Sequence, residues 1–319
     1  MTMSTRTRTA METTTRMTID AAKLMRLQSW LSPAFPTGAY SYSHGLERAV
    51  EAGMVSDRGT LVDWLDADLR FGSGRADGIF FAETWRAVKV EVPRAQQPPL
   101  PWGEGEGEGV RTLDRHYPLT LSLSPWERGP DATECPPRGA VPQGKEFGAV
   151  AEGVECSDWQ NVNQRHPLRT IAEFAAAMRA TSELALEATQ QGIAFLTAIR
   201  RAWPHPRLDR LAADLQDAGI PPMLPIATGM ACAVHNIALD LALPLYLHAG
   251  AANLINAAVR LIPLGQTDGQ MAVAALETAI SETAKEAMNA SLSEIGSAAF
   301  MIDIASMQHE TQYTRLFRS

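Results

Sequence analysis

IATGMACAVHNIALDLALPLYLHAG, Ile226 to Gly250, is the most apolar stretch of the chain. His235, Asn236, Asp240, Pro244 and His248 interrupt it. A bilayer span tolerates few such groups, because each must be stripped of water in hydrocarbon. The stretch therefore reads as buried helix, in two pieces meeting near Pro244, whose ring removes a backbone donor and crowds the preceding turn. A helix that is apolar on all sides needs other helices around it, so the rest of the chain must supply them.

Working outward, helical patterns recur on both sides. Thr18 to Leu31 carries Ile19, Leu24, Leu27 and Leu31, and SPAFPTG at 32–38 is a loop, since two prolines and a glycine cannot continue a helix. Tyr40 to Ala52 is expected to resume helix, with Gly53 as its C-terminal stop. Thr60 can cap a helix bearing Leu61, Trp64, Leu65 and Leu69, and Asp77 to Val90 carries Phe80, Phe81, Ala87 and Val88. Further on, Ile171, Phe174, Ala175 and Met178 follow helical spacing, in a helix expected to reach about Arg201 and end at Pro204. Leu208 to Leu215 is short and amphipathic. Ile255, Ala258, Val259 and Ile262 form a face closed by Pro263, and Gln270 to Leu292 reads as one long helix. Outside residues 91–166 no segment alternates with period two, so the expected class is all-α, a helical bundle-like domain.

Residues 91–166 differ in texture. Ten of the twenty prolines lie between Pro93 and Pro142, and apolar periodicity vanishes. Two stretches stand out: PPLPWGEGEGEGV at 98–110 and YPLTLSLSPWERG at 117–129. Aligned antiparallel, so that residue numbers sum to 227, all thirteen facing pairs admit complementary codons: Pro with Gly or Trp, Glu with Leu, Val110 with Tyr117. Gln97 with Pro130 and Arg111 with His116 admit none. This piece of gene reads as a palindromic element inserted in frame. The expected organisation is a disordered leader over 1–17, one helical domain made of 18–90 and 167–319, and an inserted Pro/Gly-rich loop over 91–166.

The chain has 319 residues, 45% of them hydrophobic, and a net charge of -8. That is enough for one large core, and the acidic balance without a basic run argues against a nucleic-acid partner. Three cysteines, Cys135, Cys156 and Cys232, match no zinc spacing and suggest a reducing cytosol. The first residues, MTMSTRTRTAMETTTRM, lack the apolar core of a secretory signal; Met1, Met11 and Met17 are alternative starts.

With the two flanks joined, LSPAFPTGAYSYSHGLERAVEAGMV at 31–55 resembles the opening signature of the UreF family of urease accessory proteins, a Pro-x-Gly-x-Tyr-Ser loop followed by Ser-x-Gly-Leu-Glu. RATSELALEATQQGIAFL at 179–196 is similar to the family's Arg-x-(Ser/Thr)-x-Glu-Leu helix. RLIPLGQTDGQ at 260–270 resembles its Lys-Leu-(Val/Ile)-Pro-hydrophobic-Gly-Gln segment, with Arg260 where Lys is common. The ending HETQYTRLFRS, His309 to Ser319, is the most specific match. The inserted loop departs from the family, which joins these helices by a short linker.

The resemblance implies a cytoplasmic, all-helical homodimer that is not an enzyme. It would join a second accessory protein, UreD (also called UreH), and the GTPase UreG on the urease apoprotein, with nickel as cargo of the complex and no tightly bound cofactor. His309, Glu310, Tyr313, Arg315, Leu316 and Phe317 are candidate partner contacts, the tail being expected to order on binding UreD, with Arg315 helping to recruit the GTPase. Folding of the tail onto its own core is the alternative. Glu47 and Arg260, of opposite charge, could face the GTPase or form an ordinary surface pair. Gly38 is expected to supply a turn angle. Tyr40, Ser41 and His44 are expected in core or dimer contacts, with Tyr40 and His44 on one helical face.

No metal site is expected. The seven histidines are scattered, and no two lie three or four residues apart. There is no G-x-x-x-x-G-K-[ST] loop, so the chain is not itself the GTPase. A direct nickel-binding chaperone and a small-molecule helical enzyme are the rival readings.

Overall fold

A computed structural model describes residues 20–90 and 167–319. The expected leader, the inserted loop and its inverted repeat lie outside the described residues. Within them the chain is helical and has no strand. In chain order the helices are α1 (Ala21–Trp30), α2 (Leu46–Glu51), α3 (Arg58–Phe71), α4 (Ser73–Lys89), α5 (Pro167–Ala177), α6 (Ser182–Ala202), α7 (Pro206–Asp217), α8 (Leu224–Val234), α9 (Leu239–Leu261), α10 (Gln266–Ala275), α11 (Glu277–Asn289) and α12 (Phe300–His309).

The apolar stretch sits where its composition requires. Every residue of α8 from Pro225 to Val234 is buried, and the helix packs between α4 and α6. A helix with no polar face has no side to give to solvent. The approach of α8 to α4 is close enough that a Cβ on Gly229 would meet the Phe81 carbonyl oxygen at 2.9 Å. Helix α4 also packs on α3, α5, α9 and α11, so the segments before and after the 91–166 interval share one core. Trp30 of α1 closes one end of it, edge-on to Phe195 and Trp203.

The break in the apolar stretch falls at 235–238, not at Pro244. Asn236 adopts a left-handed φ of 57°. Ile237 N–H then bonds back to the Cys232 carbonyl (2.9 Å) and Asn236 N–H to Ala233 (3.2 Å), a Schellman stop. Pro244 lies inside α9. Its ring has no N–H to offer the Asp240 carbonyl one turn earlier, and Asp240 is an exposed residue.

Four further expectations are corrected. Tyr40 to Ala52 is not one helix: a 3-10 turn covers Ala39–Ser41, then His44 (φ 54°) and Gly45 (φ 74°) are both left-handed, so only Leu46–Glu51 is α-helical. Consecutive left-handed residues cannot continue a right-handed helix, so Tyr40 and His44 do not share a helical face. The helix expected to run to Arg201 is split at Thr181, whose side chain caps α6 by accepting from Leu184 N–H. The long Gln270 to Leu292 helix is α10 and α11 meeting at Leu276. At α3 the N-cap is Asp57, with Thr60 as the reciprocal partner in a capping box.

Candidate functional site

Past His309 the chain has no helical bonds of its own, so its backbone groups need partners elsewhere. Glu47, in the first turn of α2, supplies them. Its Oε1 accepts the Leu316 N–H at 2.6 Å, and its Oε2 accepts the Phe317 N–H at 2.9 Å. Ser43 donates its N–H to the Ser319 main-chain oxygen at 2.8 Å, and its hydroxyl donates to the same atom. Arg318 N–H donates to the Ser41 carbonyl (2.8 Å), and Ser319 Oγ donates to Glu187 Oε2 (2.6 Å). The SYSHGLE loop and the tail thus bind each other main chain to main chain.

Beneath this contact the ionisable side chains touch one another. His309 is wholly buried, with Nδ1 2.6 Å from Glu183 Oε2 and Nε2 3.2 Å from Glu47 Oε2. Arg315 donates to the other oxygen of Glu183 at 2.5 Å. Glu310 turns back to the start of α6, accepting from Ser182 Oγ (2.6 Å) and Ser182 N–H (2.9 Å). The Ser182 hydroxyl and then the helix N–H groups hold the Glu310 carboxyl below its ordinary range. The Glu47 carboxylate, buried in the fold, persists only with such partners.

Arg260 completes the contact from α9. Its guanidinium lies 4.4 Å from the centroid of the buried Phe317 ring, and Nη2 donates to the Tyr40 carbonyl at 2.7 Å. Glu47 and Arg260 are therefore not a surface pair: each grips a different part of the tail. Among the residues the tail turns outward, two are large and apolar. Tyr313 is fully exposed, Leu316 and Tyr40 are mostly exposed, and α12 adds Phe300, Met301, Ile304 and Met307 on its outer side.

Behind the loop lies a cavity of about 150 Å³ whose lining includes His44, Asp68, Asp77, Arg179, Glu187 and Tyr246. His44 Nε2 is 3.2 Å from Glu187 Oε1, and Arg179 donates to Asp77 at 2.6 Å. Burial works to lower the His44 pKa, but the Glu187 carboxylate, with Asp68 and Asp77 behind it, pushes it up to about 9. Burial raises Asp68, against the pull of His44 and the Ser73 hydrogen bond. Tyr246 is likewise pushed well up by burial and Asp77. The lining of the cavity combines these polar groups with aliphatic side chains such as Leu65 and Leu254.

Sequence comparison decides what kind of protein carries this clasp. Residues 146–277 match the family model described as UreF. A protein named urease accessory protein UreF from Rhodopseudomonas palustris (strain HaA2) is 39% identical over 298 residues, covering 93% of this chain and 94% of that one. The protein of the same name from Bradyrhizobium diazoefficiens is 38% identical over 300 residues, 94% of this chain and 93% of its own. The chain belongs to the UreF family of urease accessory proteins. That family serves urease maturation and is not enzymatic. One from Granulibacter bethesdensis is 36% identical over 305 residues, 96% of this chain and 97% of its own.

In this UreF-family chain the structure brings His309, Glu310, Arg315, Phe317, Glu47, Arg260, Ser41 and His44 to one clasp. The expectation that the tail orders only on a partner is corrected, because Glu47, Ser43 and Ser41 already hold its backbone. His309, Glu47 and Phe317 are buried and offer a partner nothing directly; Tyr313 and Leu316 are exposed. Gly38, at φ 75°, supplies the left-handed entry to the 3-10 turn. Sequence reasoning missed Glu183, Glu187 and Ser43. Glu183 and Glu187 are spaced i, i+4 on α6 and share a face with Gln190 and Gln191, a polar strip that reads as solvated. Among the described residues no cluster of three or more His, Cys, Asp or Glu is arranged to hold a metal, and no helix is long and apolar enough to cross a membrane.

Proposed function

We propose that this chain is a non-catalytic adaptor of urease maturation. It works in the cytoplasm as a homodimer, joins UreD (UreH) and the GTPase UreG to the urease apoprotein, and couples GTP turnover to delivery of nickel, which is cargo and not a resident cofactor. The observation that carries this reading is the clasped tail. Its backbone and Phe317 are fixed while Tyr313 and Leu316 project outward. Large apolar side chains held on a pinned backbone lose little conformational freedom when covered, which is what an interface anchor needs.

The test is co-purification. Tyr313→Ala combined with Leu316→Ser touches no group that holds the clasp. It should leave helicity and thermal unfolding unchanged while removing co-purification with UreD and UreG. Full retention of both partners by a folded double variant rejects the tail as their platform. Deleting 309–319 outright is a poorer test, because it strips partners from the buried Glu47 and Glu187. Equilibrium dialysis separates the adaptor from a direct nickel chaperone: tight stoichiometric nickel binding by the isolated protein would favour the chaperone.

A further inference from the structure

A second cleft lies apart from the clasp, where α1, the α6–α7 junction and the α8–α9 turn meet. It measures about 450 Å³ and is lined by Arg26, Trp203, Pro204, His205, His235 and Asn236, with Ala202 and Val234. The two imidazoles lie with centroids 5.6 Å apart.

Their hydrogen bonds fix their tautomers. His205 Nδ1 accepts the Arg207 N–H at 3.2 Å, so its ring proton is on Nε2. His235 Nδ1 faces Arg26 Nη1 at 3.4 Å. A guanidinium can only donate, so His235 also carries its proton on Nε2, and that buried nitrogen has no hydrogen-bond partner. The acceptor beside them, Asn236 Oδ1, is already taken by Lys89 Nζ at 2.5 Å. The side chains of the cleft thus offer more donors than acceptors.

It is also surrounded by cations. Among the described residues, Arg26 bonds to an imidazole, Lys89 to an amide and Arg207 to the Val88 carbonyl; none of these partners is a carboxylate. The positive field of these described residues is felt locally. Burial, then Arg26 and His205, pushes His235 down to about 4, with the nearby Trp203 carbonyl offsetting this only in part. Burial, then Arg207 and Lys23, lowers Lys89.

We infer that this cleft binds a small oxyanion of the phosphate class, held beside His235 by Arg26 and the Nε2–H donor of His205 and by the field of Lys89 and Arg207. A metal ion is the opposite chemistry, since it needs free imidazole lone pairs and is repelled by a neighbouring guanidinium. A tetrahedral oxyanion uses several donors at once and relieves the repulsion among them.

The experiment follows the imidazole Cε1–H signals of the full-length protein by NMR during titration with sodium phosphate, adenosine 5′-monophosphate or nickel sulfate. Phosphate should shift the His205 and His235 signals saturably at millimolar concentration, and less so as salt is raised. Adenosine 5′-monophosphate binding as well as phosphate would mark a phosphate group on a larger molecule; its exclusion would mark the free ion. Arg26→Gln and His205→Asn, the latter keeping a helix cap on α7, should each weaken binding about tenfold, the loss of one charge-assisted hydrogen bond. Lys89→Gln, which keeps a donor toward Asn236, should weaken it without touching the imidazoles. No phosphate shift, unchanged affinity in these variants, or selective broadening of both signals by stoichiometric nickel would overturn the assignment.

Discussion

Glu47 and Phe317 are 270 residues apart, and the carboxylate of one holds the backbone N–H of the other at 2.9 Å. The same carboxylate holds Leu316 and faces His309, so one side chain closes the fold. Glu47→Ala leaves two backbone donors without their acceptor and removes one of the two carboxylates that face the buried His309. Each orphaned buried donor costs about 1–3 kcal/mol, so a loss of roughly 3 kcal/mol in urea unfolding is expected. Trypsin should then cut after Arg315 and Arg318 well before the helical body, whereas in the parent chain those sites stay protected. Equal tail cleavage in both proteins would contradict the clasp.

Two glycines with the same backbone angle should respond very differently to alanine. Gly45 and Gly53 have φ of 74° and 72°, yet a Cβ on Gly53 meets nothing within 4 Å, while one on Gly45 meets Ser306 N at 2.6 Å. Gly53→Ala should therefore cost about 1 kcal/mol, the conformational term alone. Gly45→Ala must also push α12 off α2, adding about 1–3 kcal/mol of overpacking. Denaturant midpoints of the two variants, compared directly, check the difference; equal losses would mean that α2 and α12 are not in close contact.

The helical class was legible because residues such as Phe80, Phe81, Ile226 and Leu243 sit in patterns that only buried helices explain. The stops were legible where a glycine marks them, as at Gly53, and misread where a non-glycine does the same work. Asn236 ends α8 in a left-handed conformation, and His44 breaks the SYSHGLE segment in another. Residues of both types also occur inside helices, so the sequence carries no clear mark. The site was half legible. His309, Glu47 and Phe317 stood out by resemblance, but that Glu47 grips the tail depends on α2 packing against α12 and α9. No local pattern encodes that adjacency.

The inverted repeat makes a prediction about the gene. If residues 98–110 and 117–129 are two arms of one palindrome, every facing pair uses complementary codons, although synonymous choice is wide for Gly, Pro, Leu and Ser. Sequencing the codons suffices. A run of facing pairs with non-complementary synonymous codons would refute the element.

His44 predicts how stability depends on alkaline pH. Its folded pKa of about 9 stands above the ordinary 6.5, because Glu187 first, then Asp68 and Asp77, overcome the cost of burial. The folded state therefore holds a proton that the unfolded chain releases near pH 6.5. The resulting stabilisation, on the order of 3 kcal/mol at most, is fully present below pH 6.5 and lost as pH rises through 9. His235 acts in the other direction and in another window: its pKa of about 4 means the folded state resists a proton that the unfolded chain takes up, so stability falls as pH drops from 6.5 toward 4. Urea unfolding across pH 5 to 10 should give a maximum between these limbs. His44→Asn removes the titrating group while keeping a residue that accepts the left-handed φ of 54°. Arg179, already paired with Asp77, does not titrate in this range. The variant should be less stable than the parent at pH 6 and should lose most of the decline between pH 7 and 9. An undiminished alkaline decline in His44→Asn would place its origin elsewhere than the His44–Glu187 pair.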